Sequence, residues 1–232
     1  MAFPRKRRFD PRPVHPYFEP MSDSSFLRRP IRYSYFNATL FLIAANVLLF
    51  LATYLAPNLG PYLWLRPAAV IQANAWWQLG TYMFVHANFW HLFLNMLSLY
   101  LFGIQVERRM GSGEFLLFYL VSGVGAGLAT LLVNNATGQG MVAVVGASGA
   151  IFAVLLAFAS FFPDARIFIF GILPMRAPTA VLVFAAIELF SMFTNLSAGV
   201  AHLTHLAGVL FGWGLLVLRF RINPVRVFFP RR

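Results

Sequence analysis

One serine, four histidines and one asparagine in this sequence have types and spacings that suit hydrolytic chemistry. They are His91 with Asn95 four residues later, Ser148 in the tetrapeptide GASG, His202 with His205 three residues later, and His86. Residues three or four positions apart lie on one face of a helix. Because a serine becomes a nucleophile when a base lies within hydrogen-bond reach, one of these histidines is the expected base for Ser148.

Small residues follow two of these positions and favour His205 as that base. Two helices bring a serine and a histidine together only where the residues at their contact are small. The small residues are Gly149 and Ala153 after Ser148, and Ala207, Gly208 and Gly212 after His205. The sequence therefore predicts close packing between the helix of Ser148 and the helix of His205.

A nucleophilic serine also needs hydrogen-bond donors directed at the oxyanion that forms during attack. The side chains of His91 and Asn95 are suitable donors, and the backbone N–H of Ser148 is a third one at a helix N-terminus. No Asp or Glu is expected beside the histidines, at the same level along the helices. We therefore predict a Ser148–His205 dyad in which packing or a backbone contact orients the histidine.

Less specific interpretations exist for the same residues. A serine among small residues is more often a packing residue. His202 and His205 can share a metal ion, but we expect no metal or other cofactor because no carboxylate is expected beside them. His86 is expected to anchor a loop, and His202 to be structural or to line a cavity. Glu188 lies in a predicted membrane helix and is a functional candidate; a hydrogen bond to a neighbouring helix is the favoured interpretation.

Composition indicates an integral membrane protein. Of 232 residues, 59% are hydrophobic and 11% charged, which is too few for the surface of a soluble domain. The chain has no cysteine, so disulfides and thiolate metal sites are excluded. A membrane helix needs about 20 mostly apolar residues. Six such helices are predicted, near residues 36–55, 90–106, 114–134, 147–162, 178–194 and 201–219.

The segment between the first two predicted helices is long, apolar and rich in tryptophan. Pro57, Pro61 and Pro67 break it up, which argues against a single span. Because Trp and Tyr favour the membrane interface, we expect a loop partly embedded in the outer leaflet, with short helices. The predicted fold class is an all-α membrane protein, a six-helix bundle with this embedded first loop.

Positive charge lies almost entirely on one side of this topology. Of 18 Lys and Arg residues, 17 lie in the N-terminal tail, after the second and fourth helices, or at the C-terminal end; Arg66 lies on the other side. By the positive-inside rule both termini are cytoplasmic. The second, fourth and sixth helices, which carry His91, Ser148 and His205, then begin at the outer face. The site is therefore expected in the extracytoplasmic half of the membrane.

Three regions are predicted along the chain. Residues 1–34 are expected to be a disordered basic cytoplasmic tail that lies against anionic lipids and not nucleic acid. Residues 35–220 form the six-helix domain, and residues 221–232 a basic cytoplasmic C-terminal tail. The start of the chain has no apolar stretch typical of a signal peptide. We expect the plasma (inner) membrane, with an organelle membrane as the alternative.

Together these motifs resemble the rhomboid family of intramembrane serine proteases. The matching motifs are GASG around Ser148, H-x-x-x-N from His91 to Asn95, H-x-A-G-x-x-x-G from His205 to Gly212, E-x-R from Glu107 to Arg109, and His86. Their order along the chain and their placement on the second, fourth and sixth helices also match. The resemblance covers about residues 36–220.

The resemblance implies an endopeptidase that cleaves transmembrane segments of other membrane proteins within the lipid bilayer. Ser148 would be the nucleophile, His205 the general base and acid, and His91, Asn95 and the Ser148 amide the oxyanion donors. Structural or cavity-lining roles would fall to His86, Glu107, Arg109, Gly146, Gly149, Phe152, His202 and Gly208. Two positions depart from the family: Gln78 follows Trp77 where Arg is frequent, and Phe152 replaces a Tyr that stacks on the catalytic histidine in some members.

Two other functions are weighed against the protease. A catalytically silent rhomboid-like protein would bind membrane proteins without cutting them, but inactive relatives usually lose the serine or the histidine, and both are present. A transporter could use the histidines and Glu188 as a proton relay, but internal repeats or matching broken helices are not evident. The sequence does not predict the substrate or the oligomeric state.

Overall fold

Residues 31–169, 172–194 and 202–230 are described by the structure, which is a computed structural model. Most of the predicted basic N-terminal tail, residues 1–30, lies outside the described residues, as do residues 231–232 of the C-terminal tail. The described α-helices are α1 (Ala38–Leu55), α2 (Gly60–Leu63), α3 (Pro67–Gln72), α4 (Gln78–Thr81), α5 (Phe89–Ser98), α6 (Ile104–Met110), α7 (Ser112–Ala136), α8 (Ser148–Phe161), α9 (Ala177–Thr194), α10 (His202–Leu218) and α11 (Pro224–Phe228).

Long apolar helices make this chain a multi-pass membrane protein. Within the described ranges, three helical stretches are long and apolar enough to span a bilayer: Ala38–Leu55, Phe89–Met110 and Ser112–Ala136. The second of these is composite, because the π-helical turn Leu99–Gly103 joins α5 to α6. The apolar parts of α8, α9 and α10 are shorter. Each predicted membrane helix coincides with a helix of the structure, while the count of six spans stays a prediction.

Helix α8 lies at the centre of the bundle and is buried from Gly149 to Ser160 on most of its surface. Its contact with α10 depends on residues that lack side-chain bulk. A Cβ atom at Gly208 would lie 1.9 Å from the carbonyl oxygen of Gly149, and one at Gly212 would lie 2.7 Å from the Cβ of Ala153. The close packing predicted from the small residues is present in the structure.

Two buried carboxylates join the helix ends at the side of the molecule where the chain enters α1. Glu107, at the end of α6, accepts hydrogen bonds from the N–H groups of Ala38 and Thr39 at 2.6 and 2.9 Å, and from the Ser112 hydroxyl. These N–H groups belong to the first turn of α1 and have no partner within their own helix. Glu107 therefore fixes the start of α1.

The second carboxylate, Glu114, connects α7 with the end of α10. Arg219 donates to it through Nε and Nη2 at 2.6 and 2.7 Å. The N–H of Ile31 donates to the same carboxylate at 2.7 Å. Arg108 and Arg109 lie nearby in sequence, in the last turn of α6. This basic end of the molecule was predicted to be cytoplasmic.

The first loop covers the opposite end and contains the short helices α2 to α4, as predicted. The side chain of Gln78 is buried; its oxygen accepts from the N–H of Arg66 at 3.0 Å, and its amide nitrogen donates to the carbonyl of Tyr62 at 3.2 Å. The indole N–H of Trp77 donates to the same carbonyl at 2.8 Å. Gln78 thus anchors the loop at the position where the family often carries arginine.

A small β-hairpin between α8 and α9 was not predicted, because the sequence indicated only a connecting loop there. Strands β1 (Arg166–Ile169) and β2 (Leu173–Arg176) pair antiparallel, with Arg166 opposite Arg176.

The C-terminal segment, predicted as a basic cytoplasmic tail, packs against the helices in its described part. Ile222 and Pro224 are buried, and α11 packs against α8.

Candidate active site

Ser148 is the first residue of α8, and the chain reaches it through a constrained turn. Gly146 has a φ of 118°, a conformation that residues with a side chain rarely adopt. Its N–H donates to the carbonyl of Tyr82 at 2.9 Å. Two residues earlier, Val144 exchanges backbone hydrogen bonds of 2.9 and 3.0 Å with Leu65 of the first loop. The loop therefore fixes the backbone that delivers Ser148.

His205 lies against Ser148 from the first turns of α10. Its Nε2 is 2.6 Å from the Ser148 Oγ, which is a short hydrogen bond. The ring stacks on Phe152, one turn along α8, with centroids 4.7 Å apart and planes 8° apart. Phe152 thus stacks on the histidine without the hydroxyl that tyrosine would add. The backbone approach of Gly208 to Gly149 places the two helices close enough for both contacts.

His91 and Asn95 lie on α5 beside the same turn. A Cβ at Gly146 would lie 2.7 Å from the His91 Nε2, so the ring occupies space that only glycine leaves open. The Nδ1 of His91 accepts a long hydrogen bond of 3.5 Å from the Ala87 N–H, which leaves the ring hydrogen on Nε2. Asn95 donates one amide hydrogen to the His91 carbonyl at 2.7 Å and retains a second.

These side chains line one cavity of 1240 Å³. Ser148, His205, His91, Asn95 and Phe152 all contribute to its wall. The cavity also contacts apolar residues of α5, α8 and α9. The structure thus brings the predicted nucleophile, base and oxyanion donors to one space.

Glu188 corrects the expectation that no carboxylate lies at the depth of the histidines. It extends from α9 toward α10, with Oε1 2.9 Å from Nδ1 of His205 and Oε2 2.6 Å from Nδ1 of His202. The expected hydrogen bond to a neighbouring helix is therefore present, and its partner is the site residue His202. The Nδ1 of His205 lies within ion-pair distance of the same carboxylate. A signal existed in the sequence: Glu188 precedes the end of α9 by six residues, and both histidines lie in the first turn or so of the next helix. At 1.5 Å per residue these depths differ by only about one turn.

With Glu188 beside them, the two histidines also have the carboxylate that a metal site would need. Glu188, His202 and His205 offer ligand atoms that lie within 4.8 Å of one another, in a combination of nitrogen and oxygen that zinc accepts. The Glu188 carboxylate is already paired with both rings in this arrangement. That the protein uses no metal stays a prediction.

His86 packs beside the site, outside the membrane helices. It is buried, and its ring meets the His91 ring edge to face at a centroid distance of 5.1 Å. Burial, together with the nearby His91, lowers the pKa of His86 to about 4. His86 is therefore neutral near pH 7 and supports the His91 ring by packing.

The sequence also matches known proteins over most of the region that carries the site. A family model described as the Rhomboid domain matches residues 73–222, more than half of the chain. The chain belongs to the rhomboid family. Residues 73–222 of this rhomboid include the GASG motif, Asn95 and the site histidines His91, His202 and His205.

Named relatives of this rhomboid come from several organisms. It is 34% identical over 136 residues to "Rhomboid protein 1, mitochondrial" of Saccharomyces cerevisiae, covering 56% of this chain and 39% of that protein. It is 31% identical over 163 residues to "RHOMBOID-like protein 1" of Arabidopsis thaliana, covering 70% of this chain and 39% of that protein. Over 87 residues it is 38% identical to "Rhomboid protease GluP" of Bacillus subtilis, covering 38% of this chain and 16% of that protein. The matched part thus spans about two fifths of the first two relatives.

Proposed function

We propose that this rhomboid is an intramembrane serine endopeptidase that cleaves transmembrane segments of other membrane proteins. The observation that carries the proposal is the 2.6 Å contact between the Ser148 Oγ and the His205 Nε2. A serine in direct contact with an imidazole has the general base that makes it a nucleophile for acyl transfer. Membership in a family that includes serine proteases agrees with this chemistry.

The proposed reaction is acyl transfer in two steps. The Ser148 Oγ attacks the scissile carbonyl carbon while its proton passes to the His205 Nε2. The tetrahedral intermediate then collapses, the C–N bond breaks, and His205 gives that proton to the leaving nitrogen. Next, His205 takes a proton from a water molecule in the cavity, and the resulting hydroxide attacks the ester carbonyl. His205 then returns the proton to the Ser148 Oγ as the acid product leaves.

Three donors are proposed to stabilise the oxyanion of that intermediate. They are the His91 Nε2–H, the second amide hydrogen of Asn95 and the backbone N–H of Ser148. The last of these lies in the first turn of α8, where N–H groups have no helical partner and the helix dipole favours negative charge. Loss of one such donor costs about 10²- to 10³-fold in kcat in comparable sites.

The proposed substrates are membrane proteins whose helices open near the cleavage site. A peptide bond within a helix is hydrogen-bonded and shielded, so residues that weaken a helix, such as Gly and Pro, should lie near the cut. We place both termini in the cytoplasm and the active site in the extracytoplasmic half of the plasma (inner) membrane. The relatives include proteins named as mitochondrial and chloroplastic, so organelle membranes are the alternative location. The lipid bilayer is the expected environment, with no cofactor and no nucleic acid.

Cleavage of a model transmembrane substrate by purified protein tests the proposal, first in detergent and then in liposomes. Wild type should cut, and Ser148→Ala should not. Ser160→Ala is a matched control, because Ser160 is buried in the same helix and donates to the Leu156 carbonyl at 2.7 Å, away from the site. Cleavage that survives Ser148→Ala would reject Ser148 as the nucleophile. A wild type that binds such segments without cutting would favour the silent rhomboid-like binding protein.

A further inference from the structure

A carboxylate faces the His205 imidazole on the side away from Ser148. The Glu188 Oε1 lies 2.9 Å from the His205 Nδ1, while the Nε2 of the same ring contacts the serine. The three side chains come from α9, α10 and α8. We propose that Glu188 is a positioning residue and that the unit is a Ser148–His205–Glu188 triad. This inference rests on the proposed protease function and deepens it.

The first role of Glu188 concerns the tautomer of His205. For Nε2 to accept the serine proton, the hydrogen of the neutral imidazole must be on Nδ1. An ionised carboxylate can only accept hydrogen bonds, so Glu188 favours a hydrogen on the nitrogen that it faces. The ring N–H is not fully aligned with Oε1, so the contact acts mainly through charge.

The second role concerns the positive charge that His205 gains during attack. When the proton moves from the Ser148 Oγ to Nε2, the ring becomes an imidazolium, and the carboxylate opposite offsets its charge. The His205 and Glu188 side chains are only 11% and 13% exposed. Because water screens little at such a site, the attraction between the two charges is stronger than it would be at a surface.

His202 supplies the reason that Glu188 adopts this orientation. Its Nδ1 lies 2.6 Å from the Oε2 of Glu188, which leaves Oε1 for His205. His202 and His205 lie three residues apart on one face of α10, so a single carboxylate bridges both rings. His202 thus holds Glu188, and Glu188 holds His205.

Two other roles fit the same contacts and must be separated from this one. Glu188 could serve only to tie α9 to α10 through His202. Alternatively, it could be a metal ligand together with both histidines. The first role needs a hydrogen bond but no charge, whereas the second needs a bound ion.

The test compares steady-state kinetics and fluorophosphonate labelling of wild type, Glu188→Gln and His202→Gln. Glutamine keeps the size of Glu188 but removes its charge, and its NH₂ can donate to Nδ1 and so favour the wrong tautomer. Glu188→Gln should lower kcat by about 10²- to 10⁴-fold with KM changed less than about threefold, and labelling should slow in parallel. His202→Gln, which removes only the support, should lose less than about tenfold.

The outcomes separate the proposals. A Glu188→Gln variant with kcat within about fivefold of wild type overturns the triad and leaves the dyad. An equal loss in His202→Gln, or a metal ion in purified wild type whose chelation abolishes activity, also overturns it. If Glu188→Gln does not fold, Glu188→Asp and Glu188→Asn replace it as a pair of equal size; equal activity of the two would overturn the proposal. A wild type that neither cuts nor labels rejects the proposed function itself, and the triad with it.

Discussion

At the scale of single residues, the chemistry depends on how His205 is held. Ser148 contacts one ring nitrogen, Glu188 faces the other, and Phe152 stacks on the ring. The three contacts come from α8 and α9. Ser148 and Glu188 limit rotation of the ring within its plane, and Phe152 limits its tilt. His91 is held in a comparable way between Gly146 and His86.

Gly146→Ala should reduce activity strongly, because the new methyl group would lie 2.7 Å from the His91 ring and displace it. Loss of one oxyanion donor predicts a kcat about 10²-fold lower. Gly138→Ala is the matched control: its φ of 75° is also positive, but nothing lies within 4 Å of the added Cβ. Both variants carry backbone strain, because a residue with a side chain rarely adopts a positive φ. Equal activity of the two variants would contradict the assignment of His91.

His86 should make the folded state less stable in acid. Its folded pKa of about 4 lies below the ordinary value of 6.5, so between these pH values only the unfolded state binds the proton. The contribution is complete above pH ~6.5 and is lost as pH falls toward ~4, by up to about 3 kcal/mol. Unfolding of wild type and His86→Phe in detergent at pH 7.5 and 5 measures it. An identical pH dependence in both proteins would contradict the prediction.

Which residues form the site could be predicted better than how they are oriented. Ser148, His205, His91 and Asn95 were identified from residue type, spacing and family motifs. The partner of His205 was not, because helix ends place Glu188 only to within about one turn of the histidines, and a sequence does not give the direction in which α9 faces α10.

At the scale of elements, the site depends on the contact between α8 and α10. The backbones of the two helices are in contact where Gly208 faces Gly149. Because Gly208 has no side chain, α10 approaches α8 closely enough for His205 to contact Ser148. Helix α7 contributes a second small-residue face: a Cβ at Gly125 would lie 2.5 Å from the Phe211 ring of α10. The distances in the site are therefore consequences of how closely three helices pack.

Gly208→Ala should destabilise the fold, because the added Cβ would lie 1.9 Å from the Gly149 carbonyl oxygen and the backbone there cannot easily move. We expect a loss of about 3 kcal/mol in the free energy of unfolding and little residual activity. Gly214→Ala in the same helix meets nothing within 4 Å and should be neutral or stabilising by up to about 1 kcal/mol. Thermal unfolding of both variants in detergent decides; a stable, active Gly208→Ala would contradict the packing described.

The long helices could be predicted from the length of the apolar stretches, because a helix must have about 20 mostly apolar residues to cross a bilayer. The ends of α1, α8 and α10 agree with prediction to within two residues. The π-helical turn Leu99–Gly103 and the hairpin β1–β2 were not predicted. Both lie in segments where an apolar sequence suits several backbone conformations, and tertiary contacts decide among them.

At the scale of the whole molecule, the two ends differ in charge and in construction. One end holds the buried carboxylates Glu107 and Glu114 with Arg219, and the other holds the first loop and the turn before Ser148. The positive-inside rule places the basic end in the cytoplasm. In this proposed orientation the active site lies nearer the outer face.

Single cysteines can test this orientation, since the chain has none of its own. Thr137 and Asp164 are exposed and lie at opposite ends of the bundle, after α7 and after α8. A membrane-impermeant maleimide should label Thr137→Cys in intact cells and Asp164→Cys only after permeabilisation. The reverse pattern would invert the topology and place the site on the cytoplasmic side.

The most direct test of the central claim is covalent labelling of the purified protein with a fluorophosphonate, followed by mass spectrometry of the modified peptide. This measurement needs no knowledge of the natural substrate, because the probe reports only a serine activated by a base. We predict one adduct on Ser148 in wild type and Ser160→Ala, and none in Ser148→Ala or His205→Ala. An unlabelled wild type, or an adduct that persists in Ser148→Ala, would contradict the account and leave Ser148 as a residue of helix packing.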